Sequence, residues 1–489
     1  MSAAANYCPR IPIALVVVGE LLLSGCKVGP NYKKPDISVE NKWEHPATTQ
    51  ASVANEARPP MAWWTTLNDP ELTSLVDRAA DSNLTLSIAK TRIVEARAER
   101  SVAAGALLPS IGADAGYSFN RGTGPLFPAV TGDYPFYTAG FDAIWEADIF
   151  GGVRRSVEAA QDILQAQQDA ERGAVVSVVS EVARNYVELR TVQQRIAITK
   201  ENIQIQSETL DLAKRLNSAG IVSDIDVVRG QGELSQTQSE VAVLQIQEKA
   251  SIYQLGVLLG ASPQSLQAEL QNPKPIPAPP SVVPIGLPSQ LLRRRPDVRQ
   301  AERQLAAATA QIGVAEADLY PQLTLTGDFG VGAEQFGNMF NWSSRYIGIG
   351  PSLRWQLFEG GRIVANIDAH KAIRQELLDQ YKLTILTALR EADDALISFN
   401  NRQQQFNLLT QSVESNQAAV RIAKERYASG TIGYLSLLDA QRSLLMTQDS
   451  MAVSRGEVTL SMVALYKAIG GGWEKIEHDQ SAALAVSRK

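Results

Sequence analysis

Hydrophobic and polar positions change period at two places along the chain, and the two places copy each other. From Arg293 to Leu319 the sequence RRRPDVRQAERQLAAATAQIGVAEADL is alanine-rich and helical. From Pro321 onward it alternates: Leu323, Leu325 and Phe329 are apolar, while Gln322, Thr324, Thr326 and Asp328 are polar. A helical period of 3.6 passing straight into a period of 2 marks a helix-to-strand joint. The same joint lies upstream, where Val102, Ala103, Leu107 and Pro109 keep the spacing of Val314, Ala315, Leu319 and Pro321. There Ile111, Ala113, Ala115, Tyr117 and Phe119 supply the alternating apolar positions.

A second strand follows in each copy. Tyr137, Ala139, Phe141, Ala143, Trp145, Ala147 and Ile149 share one face, opposite Thr138, Gly140, Asp142, Glu146 and Asp148. In the later copy Ile347, Ile349, Leu353, Trp355 and Leu357 face away from Tyr346, Gly348, Ser352, Arg354 and Gln356. The pattern predicts four strands, within about residues 109–150 and 321–358, and a Gly- and Pro-rich loop from Arg121 to Pro135.

The helical stretches repeat as well. Asp69 and Pro70 are the cap and first position of a helix read as running to Leu107. Long, almost proline-free helices are predicted from Gly152 to Gly220 and from Gly361 to Gly430, each roughly 100 Å if continuous. Val182, Leu189, Ile196, Ile203 and Leu210 recur every seven residues, as do Phe399, Phe406, Val413 and Val420. That repeat packs helices side by side as coiled coils. Gly220 and Gly430 are placed to cap them, and helices return over Asp224–Leu259 and Tyr434–Ile469. At one fixed offset Ala213/Ala423, Lys214/Lys424, Gln231/Gln441, Leu234/Leu444 and Gln238/Gln448 agree, so the chain is an internal duplication. It divides into a signal peptide (1–25), an extended arm (26–70), a first repeat (71–271), a proline-rich linker (272–288), a second repeat (289–472) and a tail read as disordered (473–489).

Composition narrows the function. The formal charge of -6 over 489 residues gives no basis for nucleic-acid binding. There are three histidines, and His370 lies in a helical run without a second ligand at i+4, so no metal site is expected. No nucleophile motif or phosphate-cradling glycine loop is present, and neither catalytic residues nor cofactors are expected. At the N-terminus Arg10, the apolar run Ile11–Val18 and Leu-Ser-Gly-Cys26 resemble a bacterial lipoprotein signal, which makes Cys26 the candidate acylated residue. Lys27 after it suggests sorting to the outer membrane.

A soluble sheet with one wet face would alternate in the same way. The helices are too long for a globule, however, and strands of this length with one apolar face fit a membrane barrel. Four strands cannot close a barrel, and open edges are not tolerated in lipid, so several chains must share one. Three chains would give twelve strands and leave a pore, whereas an eight-stranded barrel from two is filled by side chains.

WWTTLNDPELTSLV, WEADIFGGVR, GPSLRWQLFEGGR, the lipobox and the Arg293–Gly327 stretch resemble lipidated, NodT-type, TolC-like outer-membrane efflux channels over nearly the whole mature chain. The resemblance implies a homotrimer with a twelve-stranded outer-membrane β-barrel continuous with a long periplasmic α-helical barrel. Its partners would be outer-membrane lipid, a periplasmic adaptor protein and an inner-membrane pump of the resistance-nodulation-division class. It places the periplasmic gate at Asp439 and Asp226, with Tyr427 holding the closed tip, and makes Gly220, Gly430, Ala219 and Ser429 adaptor contacts. Ser436 stands where some members have a second acid and Ile432 where some have an arginine. A ring of three Asp439 carboxylates would favour cations. Alternatives are a duct for ABC-driven type I secretion and a purely structural periplasmic tether, which would need no amphipathic strands.

Overall fold

The computed structural model describes residues 26–37, 53–54, 60–122, 132–280, 283–284 and 294–477; the signal segment and most of the tail lie outside them. The chain forms two compact units. The first gathers the arm up to Asp36 with Ile93–Gln167 and Ala301–Tyr381; the second gathers Ile37–Arg92, Gln168–Gln300 and the chain from Lys382 on.

The elements in order are α1 (Pro70–Ser82), α2 (Leu84–Gly105), β1 (Ser110–Gly122), β2 (Gly132–Ala147), α3 (Gly152–Ser218), α4 (Asp224–Leu258), α5 (Pro296–Ala317), β3 (Gln322–Ala333), β4 (Arg345–Arg354), α6 (Arg362–Ala428) and α7 (Tyr434–Ala468). The copies match in length: α3 and α6 have 67 residues each, and α4 and α7 have 35. No described helix is long and apolar enough to cross a membrane.

In the first unit β1–β2–β3–β4 form one antiparallel meander in sequence order, and the register keeps the apolar positions on one face. Ala113 lies opposite Phe141, Phe141 opposite Phe329, and Phe329 opposite Ile347. This face is bare: Ile111, Phe141, Ile347 and Ile349 are 75%, 59%, 72% and 86% exposed, which in water would be a large uncovered apolar patch. On the polar face Asp142 lies opposite Asp328. Tyr346 there lies across Gly140 and Gly330, where any Cβ would meet its hydroxyl, so the two glycines leave room for an aromatic ring. Each copy ties strand to helix by one tryptophan: Trp145 Nε1 donates to Leu107 O at 3.0 Å and Trp355 Nε1 to Leu319 O at 3.1 Å.

The strands differ from the sequence reading at their ends. β2 stops at Ala147, before Ile149, because Asp148 accepts from the amides of Val153 (3.1 Å) and Arg154 (2.9 Å) and opens α3. β4 stops at Arg354, before Trp355 and Leu357. Conversely, β1 and β2 extend to Gly122 and from Gly132, into the stretch read as loop.

In the second unit the heptad positions form the packed seam: Val182, Leu189, Ile196, Leu210, Phe399, Val413 and Val420 are buried. Polar ties set its register, with Gln441 Nε2 donating to Thr209 Oγ1 at 2.9 Å, Asn202 Nδ2 to Gln448 Oε1 at 2.8 Å, and Arg195 to Asp449 at 2.6 Å. Trp63 and Trp64 are fully buried, Trp63 stacking on Tyr466 at 5.3 Å. Asp69 caps α1 through the amides of Glu71 and Leu72, as its sequence position demands.

The helix read as continuous to Leu107 is instead two. Asn83 adopts an extended ψ of 127° between α1 and α2; its side chain accepts from Leu86 N and donates to Leu258 O at 2.7 Å, so tertiary contact breaks the helix there. Within the arm and linker, Val53–Ala54 pairs in parallel with Val283–Pro284. The start of the tail is ordered too: residues 473–477 are helical, Arg172 lies 4.9 Å over Trp473, and Arg294 and Arg172 pair with Glu474 and Glu477 at 2.7 Å each.

Candidate functional site: the helical tips and the arm anchor

Both long helices end in the same turn. Gly220 (φ +73°) and Gly430 (φ +71°) sit in the left-handed region that a side chain resists. The amides of Ile221 and Thr431 reach back to Leu216 O and Arg426 O at 2.9 Å, completing a Schellman cap on each helix. A Cβ on either glycine would meet nothing within 4 Å, so these glycines serve the backbone turn and not close packing. Ala219 and Ser429 are exposed beside them, and Ser429 Oγ donates to Arg426 O at 3.0 Å.

The two equivalent turns are locked by different chemistry. In the first copy Asn217 Nδ2 donates to Val222 O at 3.1 Å and to Asp224 Oδ1 at 2.9 Å. At the matching positions of the second copy stand Tyr427 and Tyr434, packed edge to face with centroids 5.5 Å apart. With Ala213, Leu437 and Leu438 they form a small buried cluster, against which Leu216, Val222 and Ile432 pack. Ile432 is thus part of an apolar plug. Tyr434 was missed in the sequence, although its place opposite Tyr427 across the five-residue turn 429–433 was visible there.

Asp226 and Tyr427 line one cavity of about 480 Å³ with Ser223, Ser429, Thr431 and Tyr434. Tyr427 is 2% exposed and its hydroxyl has no hydrogen-bond partner among the described residues. Burial first, then the Asp226 carboxylate and Tyr434, push its pKa up to about 12. Any stabilisation from this shift is present below the ordinary tyrosine value and lost as pH rises through about 12, so the hydroxyl stays a donor at physiological pH. Asp439 does not line this cavity. It lies exposed on α7 beside Arg442, which pairs with Glu233 of α4.

The tip offers a direct test. A Cβ on Gly230 would fall 2.5 Å from Tyr434 Oη and 3.1 Å from Leu210 Cδ1. Gly230→Ala is therefore expected to turn Tyr434 out of the cluster and to lower amide protection over residues 427–438 in hydrogen exchange. The gain of about 1 kcal/mol in helix propensity acts the other way and is confined to α4. Unchanged protection at the tip would show that the Tyr427–Tyr434 pair does not hold it.

Cys26 is exposed, and the arm behind it is fastened to the first unit. Val28 N donates to Phe150 O at 3.1 Å. The buried Arg155 donates to Val28 O, Gly29 O and Asn31 Oδ1 at 2.9 Å each and to Glu158 at 3.0 Å. Gly313 clears the way: a Cβ there would lie 2.8 Å from Arg155 Nε and 2.9 Å from Val28 O. The segment after Cys26 is thereby held where β2 passes into α3.

Among the described residues there is no group of three or more side chains that could hold a metal ion. The chain belongs to the outer membrane efflux protein family, whose model matches it twice, over residues 75–261 and 287–471. Nodulation protein T of Rhizobium leguminosarum bv. trifolii is 32% identical over 93% of this chain and 96% of that protein. A probable efflux pump outer membrane protein, TtgC of Pseudomonas putida, is 30% identical over 94% of this chain and 95% of its own length. The solved outer-membrane channel OprN superimposes with a TM-score of 0.86 at 34% identity, covering 92% of this chain and all (100%) of that one. The chain is an outer-membrane protein of this family.

Proposed function

We propose that three copies of this chain close one twelve-stranded barrel and form the passive outer-membrane duct of a tripartite efflux system, through which an inner-membrane resistance-nodulation-division pump and a periplasmic adaptor export small toxic compounds. The observation that carries this is the four-stranded sheet. One face is apolar and bare, and the outer edges of β1 and β4 have no strand partner among the described residues. Lipid accepts such a sheet only when its edges are paired, and further copies of the same sheet supply the pairing.

In this reading the repeats are residues 71–271 and 289–472, linked through 272–288, and the arm 26–70 begins at an acylated Cys26. Asp226 and Tyr427 form the periplasmic gate together with Asp439, while Gly220, Gly430, Ala219 and Ser429 meet the adaptor. The cavity shared by Asp226 and Tyr427 supports a common role for those two; the exposed Asp439 fits a charge facing the duct. The test is conductance of the purified protein in a planar bilayer, for the parent and for Asp226→Ala with Asp439→Ala. Small cation-selective currents that grow several-fold in the double variant are expected. A folded, membrane-extracted protein that never conducts would sink the duct.

A further inference from the structure

The loop between β3 and β4, residues 334–344, carries an aromatic patch that the duct does not use. It lies at the end of these strands away from their helical joints. Phe336, Phe340 and Trp342 are 62%, 77% and 80% exposed, whereas Met339 between them is 6% exposed. The loop thus turns one residue inward and three large rings outward. Phe336 packs edge-on against Tyr137 at 5.7 Å and against Phe340 at 6.4 Å, and Tyr137 continues to Tyr117 at 5.0 Å. Below the rings is a cleft of about 390 Å³ whose floor includes Ala115, Ala139 and Val331, all on the apolar face of the sheet. The patch is therefore continuous with the bare face.

One cation sits within it. Arg345, opposite Val331, takes an apolar-face position at the start of β4, and its guanidinium lies 4.1 Å over the ring of Trp342. It is exposed and makes no ion pair among the described residues. An unpaired guanidinium held on an indole, at the rim of an apolar surface, can bind an anionic oxygen in a forked geometry while the rings contact hydrocarbon.

We propose that this loop and Arg345 form a binding site for a phosphate-bearing lipid of the outer leaflet. The guanidinium takes the phosphate, and Phe336, Phe340 and Trp342 lie against the acyl chains and at their boundary with the headgroup. The proposal rests on the reading of the sheet as membrane-spanning. Lipid is favoured over a second copy of the chain because the patch belongs to the sheet's face, whereas pairing with another copy uses the edges of β1 and β4.

The test is native mass spectrometry of the full-length protein, taken only from material that floats with lipid vesicles, with diphosphorylated lipid A and its phosphate-free counterpart as probes. The parent should retain the phosphorylated form about tenfold better, the scale of one charge-assisted contact. Arg345→Gln should abolish that preference, Arg345→Lys should restore part of it, and Phe340→Ala with Trp342→Ala should weaken retention of both lipids. Equal retention of the two probes by the parent, or an unchanged preference in Arg345→Gln, overturns the site. Altered oligomer size in the aromatic variant with unchanged lipid retention also overturns it and assigns the patch to contact between copies. A parent protein that does not float with vesicles fails the membrane-spanning reading itself.

Discussion

Glu71→Ala should lower the local stability of the second unit by about 3–5 kcal/mol, because it leaves a buried cation without its countercharge. The Arg190 side chain is fully inside, pairs with Glu71, and donates to Gln193 Oε1 at 2.7 Å and Asn272 O at 2.9 Å. Glu71 also accepts from Tyr186 Oη at 3.0 Å and pairs with Lys274 at 3.0 Å. Neutral acceptors alone do not compensate a guanidinium out of water. Hydrogen exchange would read the change as faster opening of the amides around residues 186–193, with tip amides unaffected; unaltered exchange there refutes the argument.

The same network has a pH signature. Burial by itself would raise the Glu71 pKa, but Lys274, Arg190 and Tyr186 outweigh it and hold the carboxyl below its ordinary value. A depressed carboxylate stabilises the fold above its unfolded pKa, and that contribution is lost as pH falls through the folded value. Protection in this region should therefore hold at mildly acidic pH and fail only in stronger acid, and Glu71→Ala should remove this pH dependence.

Detachment of the arm is the second large effect. Arg155→Ala removes the donors to Val28 O, Gly29 O and Asn31 Oδ1 and leaves two carbonyls unpaired. The cost is roughly 3 kcal/mol, about a hundredfold in the population of the released arm. Gly313→Ala should release the same segment by another route, since its methyl would occupy the space of Arg155 Nε and Val28 O. Tryptic cleavage after Lys33 measures both, since Pro35 blocks cleavage after Lys34. Cleavage that stays at the parent rate in both variants would show that other contacts, such as Lys34 with Glu302 at 2.6 Å, hold the arm alone.

The periods of 2 and 3.6, the seven-residue seam, the capping glycines and the duplication were all legible in the chain, because each is a local pattern that backbone geometry converts directly into an element. Asp69–Pro70 opened α1, and the alternating residues of β1 to β4 share the face their spacing required. At the tips the sequence named single residues and not their grouping: Asp226 and Tyr427 line one cavity, while Asp439 lies outside it.

Tertiary structure decided what depends on residues far apart in the chain. Asn83 breaks a helix because Leu258 O, 175 positions away, takes its side-chain amide. Residues 473–477 are helical because Arg172, Arg294 and Arg299 gather around Trp473 and Glu474. Val53–Ala54 and Val283–Pro284 find each other as strands although neither has a period of its own. The buried roles of Arg155 and Arg190 were invisible for the same reason: an arginine in a helix reads as a surface residue until the carbonyls and carboxylate that enclose it arrive from distant segments. Local pattern fixes elements and faces; the partners of a buried charge are set only when the chain has folded.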